Sequence, residues 1–356
     1  MADEQSVRQA FIQQANACSA LGSPFTGALC RLFAERLDRK TPVGRTVLDW
    51  PGDPSGAADS VPLRLAGSLH ALVLEGLEPA LAALYPPETH WSEDGIDEAL
   101  ASALLAAFET HAGFICERLR SAPQTNEVRR SGALLPGFLT IAKRFPLPLR
   151  MSEIGASAGL NLHWDRYGYA FGGFSWGNPN SAVRITPEWN GPPPDVAPIS
   201  IVERAGCDLN PIDPNDPDQC TRLLSYIWAD QTDRLDRTRQ ALAIARQQAA
   251  GVDKQDALDF LRQRLGTSPE NTVHVIYHSI AWQYLPEAAR AEGERLIKTA
   301  GEKATEPHPL AHLAMEADGQ SPGAALTLQI WPTGEKQEIG RADFHGRWVQ
   351  WKGWRN

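Results

Sequence analysis

Glu153 stands two residues ahead of five consecutive small residues, Gly155-Ala156-Ser157-Ala158-Gly159, and a run containing Leu149, Met151 and Ile154 leads into them. That order predicts a short buried strand, an acid near its end, a tight turn, and a helix over Gly159–Tyr167. A turn with almost no side chains lets a ligand approach the backbone closely. The start of the helix would aim its N–H groups at that ligand, and Glu153 adds a carboxylate at the mouth. This is the chemistry of a nucleotide site.

Three readings share these letters. The order acid-Gly-x-small-x-Gly resembles the first motif of class I S-adenosylmethionine-dependent methyltransferases. The same residues spell Gly-x-Ser-x-Gly, the nucleophile elbow of α/β-hydrolases, with Ser157 as nucleophile. The third reading is a strand-to-helix crossover that binds nothing. A hydrolase needs an acid and then a histidine later in the chain, and Asp208 or Asp256 with His278 or His345 meets that order. Against it, an anion at Glu153 would oppose the developing oxyanion, and no His-Gly-Gly loop lies upstream. The hydrolase therefore ranks third.

Further along, Ile199 to Cys207 reads as a strand ending in Asp208-Leu209-Asn210-Pro211. An acid there would accept the hydroxyl hydrogen bonds of a ribose, although it lies well beyond the usual distance of about 20 residues. The segment Gly172–Pro198, rich in Gly and Pro, must then be looped out. An Asx turn or helix cap ahead of Pro211 is the plainer role for Asp208. Val252-Asp253-Lys254-Gln255-Asp256-Ala257-Leu258 reads as the end of a third strand, with Asp256 on an adenine amine and Ala257 and Leu258 against the ring. An N-cap is the plainer role for Asp256. A fourth strand, Thr272–Tyr277, leads to His278, which would face the cleft at the carboxyl ends of the strands. Asn126, Arg129 and Arg130, with Arg64 and His70 as possible associates, offer a clamp for a carboxylate or phosphate; a solvated helix start with surface ion pairs is the alternative.

The elements that must position these groups fall into two textures. Helices are expected at Val7–Leu21, Phe25–Leu37, Leu63–Tyr85 (kinked or ended by Pro79) and Asp97–Leu119, the last preceded by Glu93 and Asp94, with a loop between Trp50 and Pro62. From Pro146 short apolar runs alternate with helical stretches, the pattern of a parallel α/β sheet. Strands are expected at Leu149–Ile154, Ile199–Cys207, Thr272–Tyr277, Leu310–Met315, Ala325–Trp331 and Arg347–Trp351, with one more at Ala182–Ile185. Helices are expected at Asp218–Ala250 in one or two pieces, Asp256–Leu265 and Pro286–Ala300. Trp331, Trp348, Trp351 and Trp354 read as core and edge packing. The boundary falls near Arg144–Pro148, giving a helical region over 1–145 and a sheet domain over 146–356.

Composition narrows the partners. The chain has 356 residues, 42% of them hydrophobic and 22% charged, as in an ordinary globular protein. A formal net charge of −9 argues against bulk affinity for nucleic acid or anionic membrane. Five widely spaced cysteines lack metal or redox spacing, so reduced thiols and no metal site are expected. The polar start Met1-Ala2-Asp3-Glu4-Gln5 is unlike a signal peptide, and no apolar run reaches the roughly 20 residues of a membrane span. A cytoplasmic protein is expected.

Five runs carry a family resemblance: Pro62–Leu74, Gln124–Gly137, Ser152–Tyr167, Ala205–Pro214 and His278–Pro286. In this order they resemble the bacterial domain-of-unknown-function 2332 family across essentially the whole chain. The resemblance implies a Rossmann-like, methyltransferase-type, mostly parallel α/β sheet behind an all-helical N-terminal region. It implies no substrate. Relative to the methyltransferase motif, Glu153, Gly155, Ser157 and Gly159 match, with Ser157 in place of the commoner glycine. The expectation is a cofactor site for S-adenosylmethionine built from Glu153, Gly155, Ala156, Ser157, Gly159, Asn161, Asp208, Asp256 and Ala257. His278 would be the base or orienting group, and Asn126, Arg129 and Arg130 would recognise a small-molecule methyl acceptor. A binding protein without catalysis is the alternative.

Overall fold

The computed structural model describes residues 3–87, 96–247, 251–267 and 269–355. Glu93, Asp94 and the expected helix end at Ala250 lie outside the described residues. The chain divides into two units, Met1–Thr125 with Asp216–Arg239, and Asn126–Asn215 with Gln240–Asn356. The division thus falls at Thr125 rather than at Arg144–Pro148, and the helical unit takes a second, later segment.

The first unit holds α1 (Glu4–Ala20), α2 (Pro24–Arg36), α3 (Pro42–Leu48), α4 (Val61–Leu74), α5 (Pro79–Ala82), α6 (Glu98–Thr110) and α7 (Ala112–Leu119). Several starts follow from capping: Asp3, Thr41 and Asp97 each accept an N–H from their own first turn. Two long expected helices are broken. Pro79 opens α5 at its first turn, where proline's missing N–H costs nothing, instead of kinking a continuous helix. Asp97–Leu119 bends by 86° between α6 and α7. Phe11, Phe25, Phe33, Leu65, Leu69 and Phe108 form the core of this unit. Among the described residues, no single helix is long and apolar enough to cross a membrane.

The later segment is bonded into this unit by Asp230. Ser23 Oγ donates to Asp230 Oδ1 at 2.5 Å and the Phe25 N–H to Oδ2 at 3.0 Å, so one carboxylate braces the start of α2. Burial pushes the Asp230 carboxyl up from its ordinary value, against these bonds. Asp230→Ala would strand both donors and should lower stability by about 2–3 kcal/mol. Urea unfolding measures this, and a loss within the experimental error would show that the brace contributes nothing.

The second unit opens with α8 (Arg130–Arg144) and β1 (Leu149–Ile154). The passage from β1 to β6 (Ile201–Asp208) has no α-helix. It runs through a 3-10 helix (Leu160–Arg166), β2 (Gly168–Phe171), β3 (Phe174–Gly177), β4 (Arg184–Ile185) and β5 (Glu188–Asn190). After α9 (Pro217–Ser225) and the first half of α10 (Thr232–Arg246), which belong to the first unit, the second resumes with the end of α10, β7 (Val252–Lys254), α11 (Ala257–Leu265), β8 (Val273–Ser279), a short 3-10 turn (Trp282–Tyr284), α12 (Glu287–Gly301), and four strands, β9 (Leu310–Glu316), β10 (Ala324–Trp331), β11 (Glu335–Ala342) and β12 (Trp348–Trp351).

Among the described residues, nine strands form one sheet in the order β5-β12-β11-β10-β9-β8-β1-β6-β7. The half from β7 to β9 is parallel throughout, β10 to β12 are an antiparallel meander, and β5 adds in parallel at the far edge. The sheet is therefore mixed and mostly parallel. The expected insertion Gly172–Pro198 is not merely looped out: β2, β3 and β4 form a small sheet of their own, and β5 reaches β12. One face carries α11 and α12 over Ile154, Cys207, Ile276 and Trp331. On the other, Phe138 of α8 stacks on Trp164 at 4.4 Å and meets Tyr277 edge-on at 5.2 Å.

β1 is buried at all six residues although three are polar. Each is matched. Arg150 Nε donates to Glu203 Oε2 at 2.7 Å, Ser152 Oγ pairs with His274 Nε2 at 3.0 Å and accepts Arg264 Nε at 2.8 Å, and Glu153 meets Tyr277. Burial, together with Arg150 and Arg264, drops the His274 ring to about 3, so it works as a neutral partner.

Candidate functional site at the carboxyl ends of the parallel strands

Gly155, Ser157 and Gly159 have φ of +69°, +54° and +70°. Only serine carries a Cβ in that left-handed region, so Ser157 is the strained member of the turn. The expectation of a helix start offering unspent N–H groups is corrected here. The element after the turn is a seven-residue 3-10 helix, and four amides of the turn and the helix start are used within the protein. Ala156 N–H bonds to Cys207 O at 3.0 Å, Ser157 N–H to Asp208 Oδ2 at 2.9 Å, Gly159 N–H to Ala156 O at 2.8 Å, and Leu160 N–H to Asn126 Oδ1 at 2.9 Å. A phosphate needs several unspent N–H groups in one concavity. This turn suits a ligand that brings no phosphate to it.

Asp208, the last residue of β6, is half-buried. Besides Ser157 it accepts the Asn210 N–H at 2.9 Å, so it makes the Asx turn and also touches the glycine turn. Each carboxylate oxygen keeps a further lone pair for hydroxyls. Its carbonyl accepts the Gln255 N–H at 3.1 Å, which brings the segment after β7 alongside. Val252 packs so closely on Gly159 that an added Cβ there would lie 2.9 Å from it. Asp256 is exposed and caps α11, its Oδ1 accepting the Leu258 N–H at 2.8 Å, with Ala257 as the first helical residue.

Glu153 is buried, and burial pushes its carboxyl up to about 8, with Tyr277 and the charge of Arg130 pulling the other way. The Tyr277 hydroxyl is shared between Glu153 Oε2 at 3.3 Å and the Asn161 carbonyl at 3.2 Å. The Asn161 amide donates to the Glu127 carbonyl at 3.2 Å, while its Oδ1 is buried with no hydrogen-bond partner among the described residues. Ser157 Oγ is in the same state, so no histidine bonds to it and the hydrolase arrangement has no base in place.

The family described as uncharacterized protein conserved in bacteria (DUF2332) matches residues 8–351. The chain belongs to this family. No curated protein and no solved structure matches it.

In this DUF2332 chain one member of the group expected on the substrate side, Asn126, lies on the turn itself. Asn126 caps Leu160 from within the second unit, and Arg130 donates to the Ser279 carbonyl at 3.1 Å and the Phe344 carbonyl at 3.0 Å. Arg129, half-buried, precedes α8. Arg64 and His70 belong to α4 of the first unit and serve its backbone. Arg64 donates to the carbonyls of Asp59, Leu119 and Arg120, and His70 Nδ1 faces the Ser225 carbonyl at 3.2 Å.

His278 is buried at the end of β8. Its Nδ1 lies 2.7 Å from Glu316 Oε1 and its Nε2 2.9 Å from His312 Nε2, and the ring stacks on Trp282. Action as a base would require breaking one of these bonds. Nothing local in the sequence marks Tyr277, Glu316 or His312 as members of one site. The available signal was a polar residue at the carboxyl end of an otherwise apolar strand, which Tyr277 and Glu316 both satisfy.

Proposed function

We propose that the second unit binds S-adenosylmethionine at the carboxyl ends of β1, β6 and β7, and that the protein transfers the methyl group to a small-molecule acceptor. The observation that carries this reading is the bond from the Ser157 N–H to Asp208 Oδ2, which joins the glycine turn after one strand to the acid ending its neighbour. The parallel order β7-β6-β1-β8-β9 supports a methyltransferase-type Rossmann arrangement, with the switch in strand order between β1 and β8 where ligands of such sheets bind. The missing helix after β1 and the antiparallel meander β10–β12 depart from it.

S-adenosylmethionine would supply an activated sulfonium methyl, which leaves positioning and water exclusion to the protein. Asp208 takes the ribose hydroxyls, Glu153 and Asn161 face the amino-acid end, and the segment Gln255–Leu258 borders the base. The small methyl acceptor fits a chain of net charge −9 better than a nucleic acid does.

Calorimetric titration with S-adenosylmethionine and S-adenosylhomocysteine tests the reading. Micromolar binding is expected, about −8 kcal/mol, with at least a tenfold loss, about 1.4 kcal/mol, in Asp208→Asn, which keeps an acceptor for Ser157 but loses the charge. No heat from the wild type at millimolar ligand would sink the proposal. A second reading, binding without catalysis, is favoured by the engaged nitrogens of His278. Tight binding with no conversion to S-adenosylhomocysteine against a broad panel of small acceptors would select it.

A further inference from the structure

The corner after β8 is built around one carboxylate. Glu316, the last residue of β9, accepts three bonds on its Oε1: from the His278 ring at 2.7 Å, the Ala281 N–H at 3.0 Å and the Trp282 N–H at 3.1 Å. The chain between those donors is strained. Ile280 has a φ of +50°, a left-handed conformation that a β-branched residue adopts only when its surroundings impose it. Its own N–H continues the ladder to the Met315 carbonyl at 2.8 Å. Trp282 lies flat on the His278 ring, 4.7 Å between centroids and 15° between planes, and fills the space left open by Gly293. The corner ends at Ala281, whose Cβ would lie 2.5 Å from a Cβ placed on Gly155.

We propose that Glu316 is the positioning residue of the site: by holding the Ala281 and Trp282 amides it keeps Ile280 left-handed, seats Ala281 on Gly155, and so sets the width of the crevice between β1 and β8. The geometry gives the carboxylate this task because no other acceptor among the hydrogen bonds of the corner takes either amide. Burial works against its ionisation, yet His278 and the two amides outweigh burial and hold the Glu316 carboxyl below the usual carboxylate range. His312 completes the arrangement. Its Nε2 lies 2.9 Å from His278 Nε2, so a hydrogen bond ties the second nitrogen of the His278 ring to β9 as well. Burial holds the His312 ring well below its ordinary value. Without the carboxylate, Ile280 can relax to negative φ, which swings Ala281 off Gly155.

Amide hydrogen exchange of the full chain tests this directly, with peptides over residues 279–285 and, as an internal reference, 149–154. In Glu316→Ala the Ala281 and Trp282 amides should exchange about tenfold faster, while β1 keeps its wild-type protection. Glu316→Asp retains the charge but withdraws the oxygen by one methylene, and should behave like alanine. Glu316→Gln keeps an acceptor in place, and should restore most of the protection. Unchanged exchange at Ala281 and Trp282 in both Glu316→Ala and Glu316→Asp overturns the proposal. So does a loss spread equally over β1, which would mark Glu316 as a general stabiliser; if alanine unfolds the protein, the aspartate and glutamine variants decide. The ligand arm rests on the cofactor reading: S-adenosylhomocysteine affinity should fall about tenfold in Glu316→Asp and recover in Glu316→Gln. Absence of binding by the wild type would end that reading and leave the exchange result to judge Glu316.

Discussion

Gly155→Ala should destabilise the protein by about 2–5 kcal/mol and remove ligand binding at the β1 turn. Two separate penalties add. Alanine at a φ of +69° suffers the Cβ-to-carbonyl clash of the left-handed region, about 1–2 kcal/mol. The new methyl would also stand 2.5 Å from the Ala281 Cβ, closer than real methyl groups come. Ala281 cannot rotate away, because a Cβ moves only with its backbone, and that backbone is fixed by Glu316. Overpacking of this kind costs about 1–3 kcal/mol. Gly173→Ala separates the two penalties, since Gly173 has a φ of +78° and nothing within 4 Å of an added Cβ. It should lose only the conformational part. Urea unfolding of both variants gives the difference, and equal losses would mean that the Ala281 contact yields easily and the crevice is loosely set.

The same contact shows what sequence can and cannot reveal. β1 is legible from Leu149 to Ile154, and β8, β9 and β10 to within about two residues, because strands buried on both faces read as short runs bounded by turn residues; β6, partly exposed, is legible to the same extent from the acid and turn that end it. β11 is not legible: its first half, Glu335-Lys336-Gln337-Glu338, is largely exposed and has low strand preference, and it pairs only because β10 offers an edge. α8 is hidden for the opposite reason. It contains Gly132, Pro136 and Gly137, which look like breakers, yet the glycines make room for Ile185 and Leu313, and burial of twelve residues outweighs their poor propensity. At the site, the glycine turn and Asp208 are local signals and could be read directly. Glu316 could not, since its three donors lie 34 to 38 residues away in sequence and converge only once β8 and β9 pair. Asp256 carried two readings in the sequence; the cap is made, and one carboxylate oxygen remains outside that bond.

Raising the pH from 5 to 8 should destabilise the wild-type protein through Glu153, and Glu153→Gln should abolish that loss. The carboxyl ordinarily titrates near 4.5 and in the folded protein near 8. Between those values the unfolded chain has released its proton while the folded chain retains it. The folded state then binds the extra proton, so stability falls as pH rises and levels off above about 8. At about 1.4 kcal/mol per pH unit of separation, the loss reaches as much as ~5 kcal/mol. Glutamine mimics the protonated acid in shape and charge, so the variant should be no more stable than wild type at pH 5 and clearly more stable at pH 9. Urea midpoints of both proteins across this range decide it, and a constant difference would show that Glu153 is ionised throughout. The binding consequence has the opposite sign. An α-ammonium group brought beside Glu153 favours the carboxylate, so S-adenosylhomocysteine binding near pH 7 should expel a proton, and its affinity should rise toward pH 8. Titrations in buffers of different ionisation enthalpy measure that proton, and in Glu153→Gln it should vanish. Binding that releases no proton in the wild type would place the amino-acid end of the ligand away from Glu153, and a neutral buried acid would then be only part of the frame that holds Tyr277 and Asn161.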